Sequence, residues 1–266
     1  MASTAPWALI LGASSGFGGA TSLELARTGY NICGVHLDLR ATLPNAEHIQ
    51  EEIRSRGREA LFFNVNAADP KKRATVVDAI QERLSQDGDG AFVRVFLHSL
   101  AFGTLLPFIA DTPKGAVSQK QIDMTVDVMA HSLVYWVQDL ASRGLFQRNS
   151  RIFAMTSSGA TRVIRAYGAV SAAKAALESH IRQLAFELAP MGITANAIRA
   201  GVTDTPALQR IPEGPRLLEQ ARQRHPAGRP TEPQDVARAI AALSDERLHW
   251  MTGNVIGVDG GEELTA

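Results

Sequence analysis

The sequence predicts one α/β domain over residues 1–266, built on a doubly wound sheet of seven parallel strands with helices on both faces. Seven short apolar runs alternate with longer segments of helical periodicity along the whole chain, which is the pattern of successive β-α-β units. Within the runs, consecutive rather than alternate residues are apolar, as in strands buried on both sides. No linker rich in Pro, Gly or Ser divides the chain, and its length suits one large domain.

The elements follow in order from this alternation, and each strand-to-strand connection predicts a right-handed crossover. The predicted strands are Ala8–Leu11, Asn31–His36, Ala60–Asn64, Val93–His98, Arg151–Thr156, Thr194–Ile198 and Val255–Val258. The predicted helices are Gly18–Thr28, Glu47–Arg56, Lys71–Gln86, Gln121–Arg143, Ser171–Leu188 and Pro233–Ser244.

Composition excludes several function classes. Lys plus Arg and Asp plus Glu both number 27, and this balance argues against a nucleic-acid binder. Residues 1–6 carry no basic charge, and the apolar stretch 7–11 is too short for a signal sequence or a membrane span; we therefore expect a cytoplasmic protein without membrane contact. The single cysteine, Cys33, excludes an intrachain disulfide, and the histidines show no ligand-like spacing, so no metal site is expected.

A glycine-rich turn follows the first strand and opens the first helix, with the sequence Gly12-Ala-Ser-Ser-Gly16-Phe-Gly18. Glycines permit a tight turn and close approach of the backbone to a ligand, and the free N–H groups of a helix N-terminus bind phosphate. The G-x-x-x-G-x-G spacing therefore predicts a site for a dinucleotide pyrophosphate. The alternative is an ordinary strand-to-helix turn.

The end of the second strand bears on the choice of cofactor. An acid at this point accepts hydrogen bonds from the adenosine ribose of NAD, but the expected position is His36. Asp38 would repel the 2′-phosphate of NADP, whereas Arg40 could pair with it. NADPH and NADH both remain open, with a slight preference for NADPH. Asn64, which closes the third strand, is expected to contact the adenine.

Catalytic candidates lie after the fifth strand. Reduction of a carbonyl or an enoyl group needs a hydroxyl near the nicotinamide and a cation that stabilises its anion. Tyr167 precedes Lys174 by seven residues at the start of an Ala-rich helix, and residues at i and i+7 share a helix face. Ser157 closes the fifth strand; its alternative interpretation is a hydroxyl satisfied at a strand end.

These motifs, together with the runs Ala200–Thr205 and Gly253–Gly261, resemble the short-chain dehydrogenase/reductase family over essentially the whole chain. The resemblance implies a Rossmann-type fold, a catalytic set of Tyr167, Lys174 and Ser157, and a nicotinamide cofactor. The expected cofactor-binding residues are Gly12, Ser14, Ser15, Gly16, Phe17, Gly18, His36, Asp38, Arg40, Asn64, Val65, Ser99, Leu100, Ala101, Lys174, Gly201, Val202 and Thr205. Within this set, the Val202 backbone and Thr205 are expected to hold the carboxamide.

Three departures from the usual family pattern narrow the resemblance. Val170 stands where Tyr-x-x-x-Lys would place the tyrosine, His98-Ser-Leu-Ala101 replaces Asn-Asn-Ala-Gly, and Met129 falls where a catalytic Asn is usual. All three resemble bacterial enoyl-acyl carrier protein reductases. The segments Tyr167–Glu178 and Thr194–Leu208 especially resemble the NADPH-dependent branch of these enzymes, which keeps the G-x-x-x-G-x-G loop.

This narrower resemblance implies reduction of trans-2-enoyl thioesters, carried by acyl carrier protein or CoA in fatty-acid biosynthesis, by a homotetramer. A carbonyl reductase or alcohol dehydrogenase, and a catalytically silent NAD(P)-binding protein, remain the alternatives.

The segment 206–226 carries several prolines and glycines around a short helical pattern, and we interpret it as a lid over the active site. Apolar residues that could line an acyl groove, or belong to the ordinary core, are Leu105, Phe108, Leu208, Ile211 and Leu217. Between residues 199 and 229 the sequence contains six arginines and three acidic residues. This excess would attract an acidic carrier protein, or it forms a solvated face.

Overall fold

The computed structural model describes residues 5–88 and 90–265, and its seven strands form one parallel sheet in the order β3-β2-β1-β4-β5-β6-β7. The strands are β1 (Trp7–Leu11), β2 (Asn31–His36), β3 (Ala60–Asn64), β4 (Val93–His98), β5 (Arg151–Thr156), β6 (Thr194–Ala200) and β7 (Val255–Val258). The fold class and all seven strand positions predicted from the sequence are confirmed, and the runs of β1, β2 and β5 are buried on both faces of the sheet.

Helices cover both faces. Their bounds are α1 (Gly16–Arg27), α2 (Leu43–Ser55), α3 (Pro70–Gln86), α4 (Gln119–Val126), α5 (Ser132–Ser142), α6 (Gly168–Leu188), α7 (Pro206–Gln209), α8 (Gly214–Arg224), α9 (Pro233–Leu243) and α10 (Glu262–Thr265). Helices α3, α5 and α6 pack on one face around Trp136 and Leu177. Helices α1, α2 and α9 pack on the other around Leu25 and Ile240. Each large side chain buried in this way contributes about 1.5–3 kcal/mol to folding.

The predicted continuous helix Gln121–Arg143 is wrong in its middle. A π-helical turn, Asp127–His131, separates α4 from α5. The Ser132 hydroxyl donates a hydrogen bond to the Val128 carbonyl at 2.7 Å, so a side chain takes part in the hydrogen bonding of this turn. Turns of this kind inside α-helices are frequent at functional sites.

Smaller differences concern the ends of elements. Helix α2 begins at Leu43, four residues before the predicted start, because Pro44 suits a first helical turn. Helix α6 begins at Gly168 rather than Ser171, and β6 extends to Ala200.

The carboxyl ends of the central strands define the place of the site. Leu11 of β1 pairs with His98 of β4, and His98 pairs with Ala154 of β5. From β1 the first strands are added on one side, toward β3, and from β4 onward the strands are added on the other side, toward β7. Ligands of open α/β sheets bind in the crevice between β1 and β4, where this change occurs. Among the described residues, no helix is long and apolar enough to cross a membrane.

Trp136 allows a test of the core beneath α6. Its indole N–H donates to the Ala67 carbonyl at 2.9 Å in a fully buried setting. Trp136→Phe leaves this carbonyl without its donor, and we expect the free energy of unfolding to fall by roughly 1–3 kcal/mol in urea titrations. Trp250→Phe is the control, since Trp250 is 89% exposed, and should change stability by less than about 0.5 kcal/mol. Equal losses in the two variants would contradict this role for Trp136.

Candidate active site

The glycine turn after β1 leaves no room for a side chain at Gly12 or Gly18. Gly12 and Gly16 have φ angles of +87° and +53°. A Cβ added at Gly12 would overlap the Ser99 carbonyl oxygen, and one added at Gly18 would overlap the Gly12 carbonyl oxygen. No side chain in the described structure caps the N-terminus of α1, and its first turn contains no acid. The turn therefore presents free N–H groups, as a pyrophosphate requires.

Asp38 lies just beyond β2, beside this turn. Its Oδ2 is 2.8 Å from Nδ1 of the buried His36 ring. Burial alone would raise the pKa of Asp38, but hydrogen bonds from Thr42, Ser14 and His36 together hold it below its usual value. The carboxylate is thus ionised and held in place next to the glycine turn. Arg40, the possible phosphate partner, is exposed.

Asn64 supports Asp38. Its Oδ1 accepts from the Asp38 backbone N–H at 2.9 Å, and its Nδ2 donates to the Asp38 carbonyl at 3.0 Å. The sequence prediction was a contact with adenine. In the structure both polar groups of the Asn64 amide are engaged by the backbone of Asp38, so its observed role is to hold the loop that carries this carboxylate.

Tyr167 stands at the N-terminus of α6. Its hydroxyl lies 3.4 Å from Oγ of Ser157, at the end of β5. Burial raises the pKa of Tyr167, and the contact with Ser157 opposes this rise. Ala166 has a left-handed φ of +60°, a strained conformation for a residue with a side chain. A Cβ added at Gly159 would lie 2.6 Å from the tyrosine ring, so the ring packs directly on backbone.

Lys174 lies two turns further along α6 and is almost completely buried. Its Nζ donates to the Met155 carbonyl at 2.6 Å, two residues before Ser157. Burial lowers the pKa of Lys174 to about 8, and the negative charge of Glu178 acts in the opposite direction. Glu178 itself accepts a hydrogen bond from the Thr156 hydroxyl at 2.7 Å. The predicted Ser157, Tyr167 and Lys174 therefore meet at the end of one strand.

The position of the usual family tyrosine is filled by packed apolar atoms. A Cβ added at Gly103 would lie 2.9 Å from both the Val170 side chain and the Met129 sulfur. Val170 and Met129 are both buried, so a tyrosine at position 170 would not fit. The other tyrosines lie elsewhere: Tyr30 is near Arg94, and Tyr135 lies under Arg73.

The last residue of β4, His98, was interpreted from the sequence as an ordinary strand end. His98 is fully buried, and its Nε2 is 2.8 Å from Oγ of Ser132, the first residue of α5 after the π turn. Burial, together with the charge of Lys174, lowers the pKa of His98 to about 3. The His-Ser-Leu-Ala departure was the sequence signal for this residue. Its contact with position 132 is not visible in the sequence.

The loop after β6 is tied to the C-terminal segment. The Val202 N–H, predicted to hold the nicotinamide carboxamide, donates to Oε2 of Glu262 at 2.9 Å. Burial raises the pKa of Glu262. Thr205 caps α7, and its methyl group lies near Gly16, which places the end of this loop beside the glycine turn. Sequence reasoning missed Glu262.

The segment interpreted as a lid contains α7 and α8, and its lid role stays a prediction. His225, which follows α8, accepts from the Ala227 N–H at 3.1 Å and lies 2.8 Å from the Asp259 carbonyl. Phe108 covers Gly168, whose added Cβ would lie 2.5 Å from the ring. The ring of Phe108 is 55% exposed, so an apolar surface borders Tyr167.

The glycine turn can be tested with neighbouring substitutions. Gly18→Ala places a methyl group against the Gly12 carbonyl, so the turn must open, and we expect at least about a tenfold loss of dinucleotide affinity. Gly19→Ala is the matched control, since its nearest neighbour is the tip of the Ile49 side chain at 3.0 Å, which can move. Fluorescence titration with NADH and NADPH measures both variants. Equal affinity in the two would rule out the proposed role of Gly18.

Comparisons with known proteins identify the family of this chain. A family model described as enoyl-(acyl carrier protein) reductase matches residues 12–263. The chain is 31% identical to an enoyl-[acyl-carrier-protein] reductase [NADH] of Aquifex aeolicus (strain VF5) over 173 residues, covering 64% of this chain and 62% of that protein. It is 28% identical to an NADPH-dependent aldehyde reductase-like protein, chloroplastic, of Arabidopsis thaliana, over 96% of this chain and 93% of that protein.

The fold is also that of a solved structure, a short chain dehydrogenase from Burkholderia cenocepacia J2315 in complex with NADP. The TM-score is 0.80 at 25% identity, over 97% of this chain and 98% of that one. These similarities join relatives named for enoyl and for carbonyl substrates, and for NADH and NADPH. The chain is an NAD(P)-dependent oxidoreductase of the short-chain dehydrogenase/reductase superfamily and belongs to its enoyl-(acyl carrier protein) reductase family.

Proposed function

We propose that this protein reduces the carbon–carbon double bond of trans-2-enoyl thioesters in fatty-acid biosynthesis. The observation that carries the proposal is the place of Tyr167 at the N-terminus of α6, one turn before the usual tyrosine position. Val170 and Met129 fill that usual position with packed apolar groups.

This displacement suits enoyl reduction better than ketone reduction. In a ketone, the carbon that accepts hydride is bonded to the oxygen that is protonated. In an enoyl thioester, hydride adds to the β-carbon, and negative charge develops on a carbonyl oxygen two carbons away. Moving the tyrosine back by three residues shifts its hydroxyl by roughly 4.5 Å. The hydroxyl then matches the more distant oxygen.

The chain's own residues have distinct roles in this mechanism. A bound nicotinamide supplies the hydride. Tyr167 donates a hydrogen bond to the oxygen on which charge develops, where a preorganised donor is most effective. Ser157 orients the tyrosine hydroxyl, which it contacts at 3.4 Å. Lys174 would hold the nicotinamide ribose, and its positive charge would favour the phenolate of Tyr167 during proton transfer.

We infer that NADH is the preferred cofactor. The ionised Asp38 carboxylate beside the glycine turn would accept hydrogen bonds from the adenosine ribose hydroxyls and repel a 2′-phosphate. The sequence slightly favoured NADPH through Arg40, which is exposed to solvent in the structure, and through the resemblance to an NADPH-dependent branch.

An acyl carrier protein is the proposed bearer of the thioester. Arg210, Arg216 and Arg222 are all exposed on the lid segment, and carrier proteins of this kind are acidic. Complementary charge would guide their association with this surface.

A substrate comparison tests the reaction. NADH oxidation is followed by absorbance with an enoyl-acyl carrier protein or crotonyl-CoA, beside a β-ketoacyl thioester. We expect turnover of the enoyl substrate and a loss of kcat of two or more decades, at least roughly a hundredfold, in Tyr167→Phe. Tyr135→Phe is the matched control and should retain activity within about twofold.

The other outcomes discriminate between the alternatives. Consumption of the β-ketoacyl thioester alone would replace the proposal with a carbonyl reductase. Tight cofactor binding with no turnover of either substrate would indicate a silent NAD(P)-binding protein.

Asp38→Asn tests the cofactor assignment separately. Removing the negative charge relieves repulsion of a 2′-phosphate, so the ratio of kcat/KM for NADPH to that for NADH should rise by about tenfold. Glu51→Gln, an exposed acid on the neighbouring α2, serves as the control and should leave the ratio unchanged. An unchanged ratio in Asp38→Asn would show that this carboxylate does not select the cofactor.

A further inference from the structure

The two ring nitrogens of His98 have very different surroundings. The side chain is fully buried at the end of β4. Its Nε2 lies 2.8 Å from Oγ of Ser132. Its Nδ1 is also buried, and it has no hydrogen-bond partner within residues 5–88 and 90–265. Buried polar atoms in folded proteins nearly always have a partner, so this nitrogen requires an explanation.

The direction of the neighbouring hydrogen bonds fixes the tautomer of the imidazole. Ser132 has one hydroxyl hydrogen, and that hydrogen is donated to the Val128 carbonyl at 2.7 Å. The Ser132 oxygen must therefore accept from His98, whose proton then lies on Nε2. The ring is neutral, because burial and the nearby charge of Lys174 lower the pKa of His98 to about 3. Nδ1 is consequently a bare acceptor.

We assign the ammonium group of Lys174 as the donor for this acceptor. An ammonium has three hydrogens, and the Met155 carbonyl accepts one of them at 2.6 Å. His98 pairs in the sheet with Ala154, the residue just before Met155. The ammonium, which α6 brings to the Met155 carbonyl of β5, and Nδ1 on β4 therefore lie at the carboxyl ends of adjacent strands, and the lysine charge acts on the ring.

We propose that an ordered water molecule bridges Lys174 Nζ and His98 Nδ1, and that His98 is a positioning residue for Lys174. The water accepts from the ammonium and donates to Nδ1. Every hydrogen bond then runs in one direction, from Lys174 through the water, His98 and Ser132 to the Val128 carbonyl. The catalytic meaning of this chain rests on the proposed function, in which Lys174 acts as a cation; its existence does not.

This chain stabilises the charged form of the lysine. Each acceptor presents its negative end toward the ammonium, which opposes the burial that lowers the pKa of Lys174 to about 8. The other groups at this lysine are the Met155 carbonyl and Glu178 on its own helix. Met129 stands at the usual Asn position and is a weak acceptor, so we assign the supporting contact to His98 instead.

The tautomer is tested first, by ¹⁵N NMR of the full-length protein labelled at histidine. The His98 signals, identified by their loss in His98→Asn, should show a protonated Nε2, an unprotonated Nδ1 and no titration between pH 5 and 8, roughly two units or more above its folded pKa. A proton on Nδ1, or a charged ring in this range, overturns the proposal. This readout needs neither cofactor nor substrate.

The link to Lys174 is tested by NMR titration of the ¹³Cε-labelled lysine. His98→Leu removes the acceptor, so the pKa of Lys174 should fall by about one unit, a tenfold change in its charged-to-neutral ratio. His98→Asn, whose amide oxygen occupies nearly the place of Nδ1, should restore most of the shift. His131→Asn is the control, because Nδ1 of His131 lies 3.0 Å from Nε2 of His180. This substitution should leave the pKa of Lys174 unchanged.

The possible results separate the two claims. An unchanged Lys174 pKa in folded His98→Leu overturns the bridge, whatever substrate the enzyme reduces. If His98→Leu does not fold, the wild-type tautomer and the Lys174 pKa in His98→Asn decide. A shifted pKa accompanied by turnover of the β-ketoacyl thioester alone would uphold the bridge and reject the proposed function.

Discussion

The buried ammonium of Lys174 is the interaction on which the site depends. A cation removed from water needs hydrogen-bond acceptors around it. The Met155 carbonyl oxygen, 2.6 Å from Nζ of Lys174, is one of them. This bond joins α6 to the end of β5 and thereby fixes the rotation of the helix. Tyr167, two turns earlier on the same helix, takes its position from that anchor. Ser157 lies two residues beyond the anchoring carbonyl and meets the tyrosine hydroxyl.

The three departures from the usual family pattern belong to one neighbourhood in three dimensions. Met129 and Val170 meet at Gly103, and His98 binds Ser132 in the helix that carries Met129. A change at any one of these positions alters the space available to the others, since interiors are closely packed. A displaced tyrosine, a missing Asn and a buried histidine are therefore parts of a single rearrangement. The π turn carries Met129 and leads into Ser132, which contacts His98 at the end of β4.

The sequence predicted the sheet well and the long-range contacts poorly, for identifiable reasons. Strands buried on both faces are continuous apolar runs, so their positions could be read locally. The π turn at Asp127–His131 adds little to the apolar periodicity of the flanking helices, so the sequence predicted one uninterrupted helix. The bond between Val202 and Glu262 spans 60 residues and leaves no local pattern. Asn64 was correctly placed at a strand end, but its partner, Asp38, could not be inferred from spacing.

In the proposed cofactor site, two charges of opposite sign lie at opposite ends. Asp38, near the end of β2, is held ionised by Thr42, Ser14 and His36, and Lys174 lies at the end of β5. Ribose hydroxyls can both donate and accept, so either charge could bind either ribose of a dinucleotide. Orientation must therefore come from elsewhere, and the tyrosine beside Lys174 supplies the asymmetry. Only the ribose attached to the reacting ring would bring chemistry next to Tyr167, so the proposed function pairs the adenosine with Asp38 and the pyrophosphate with the glycine turn between them.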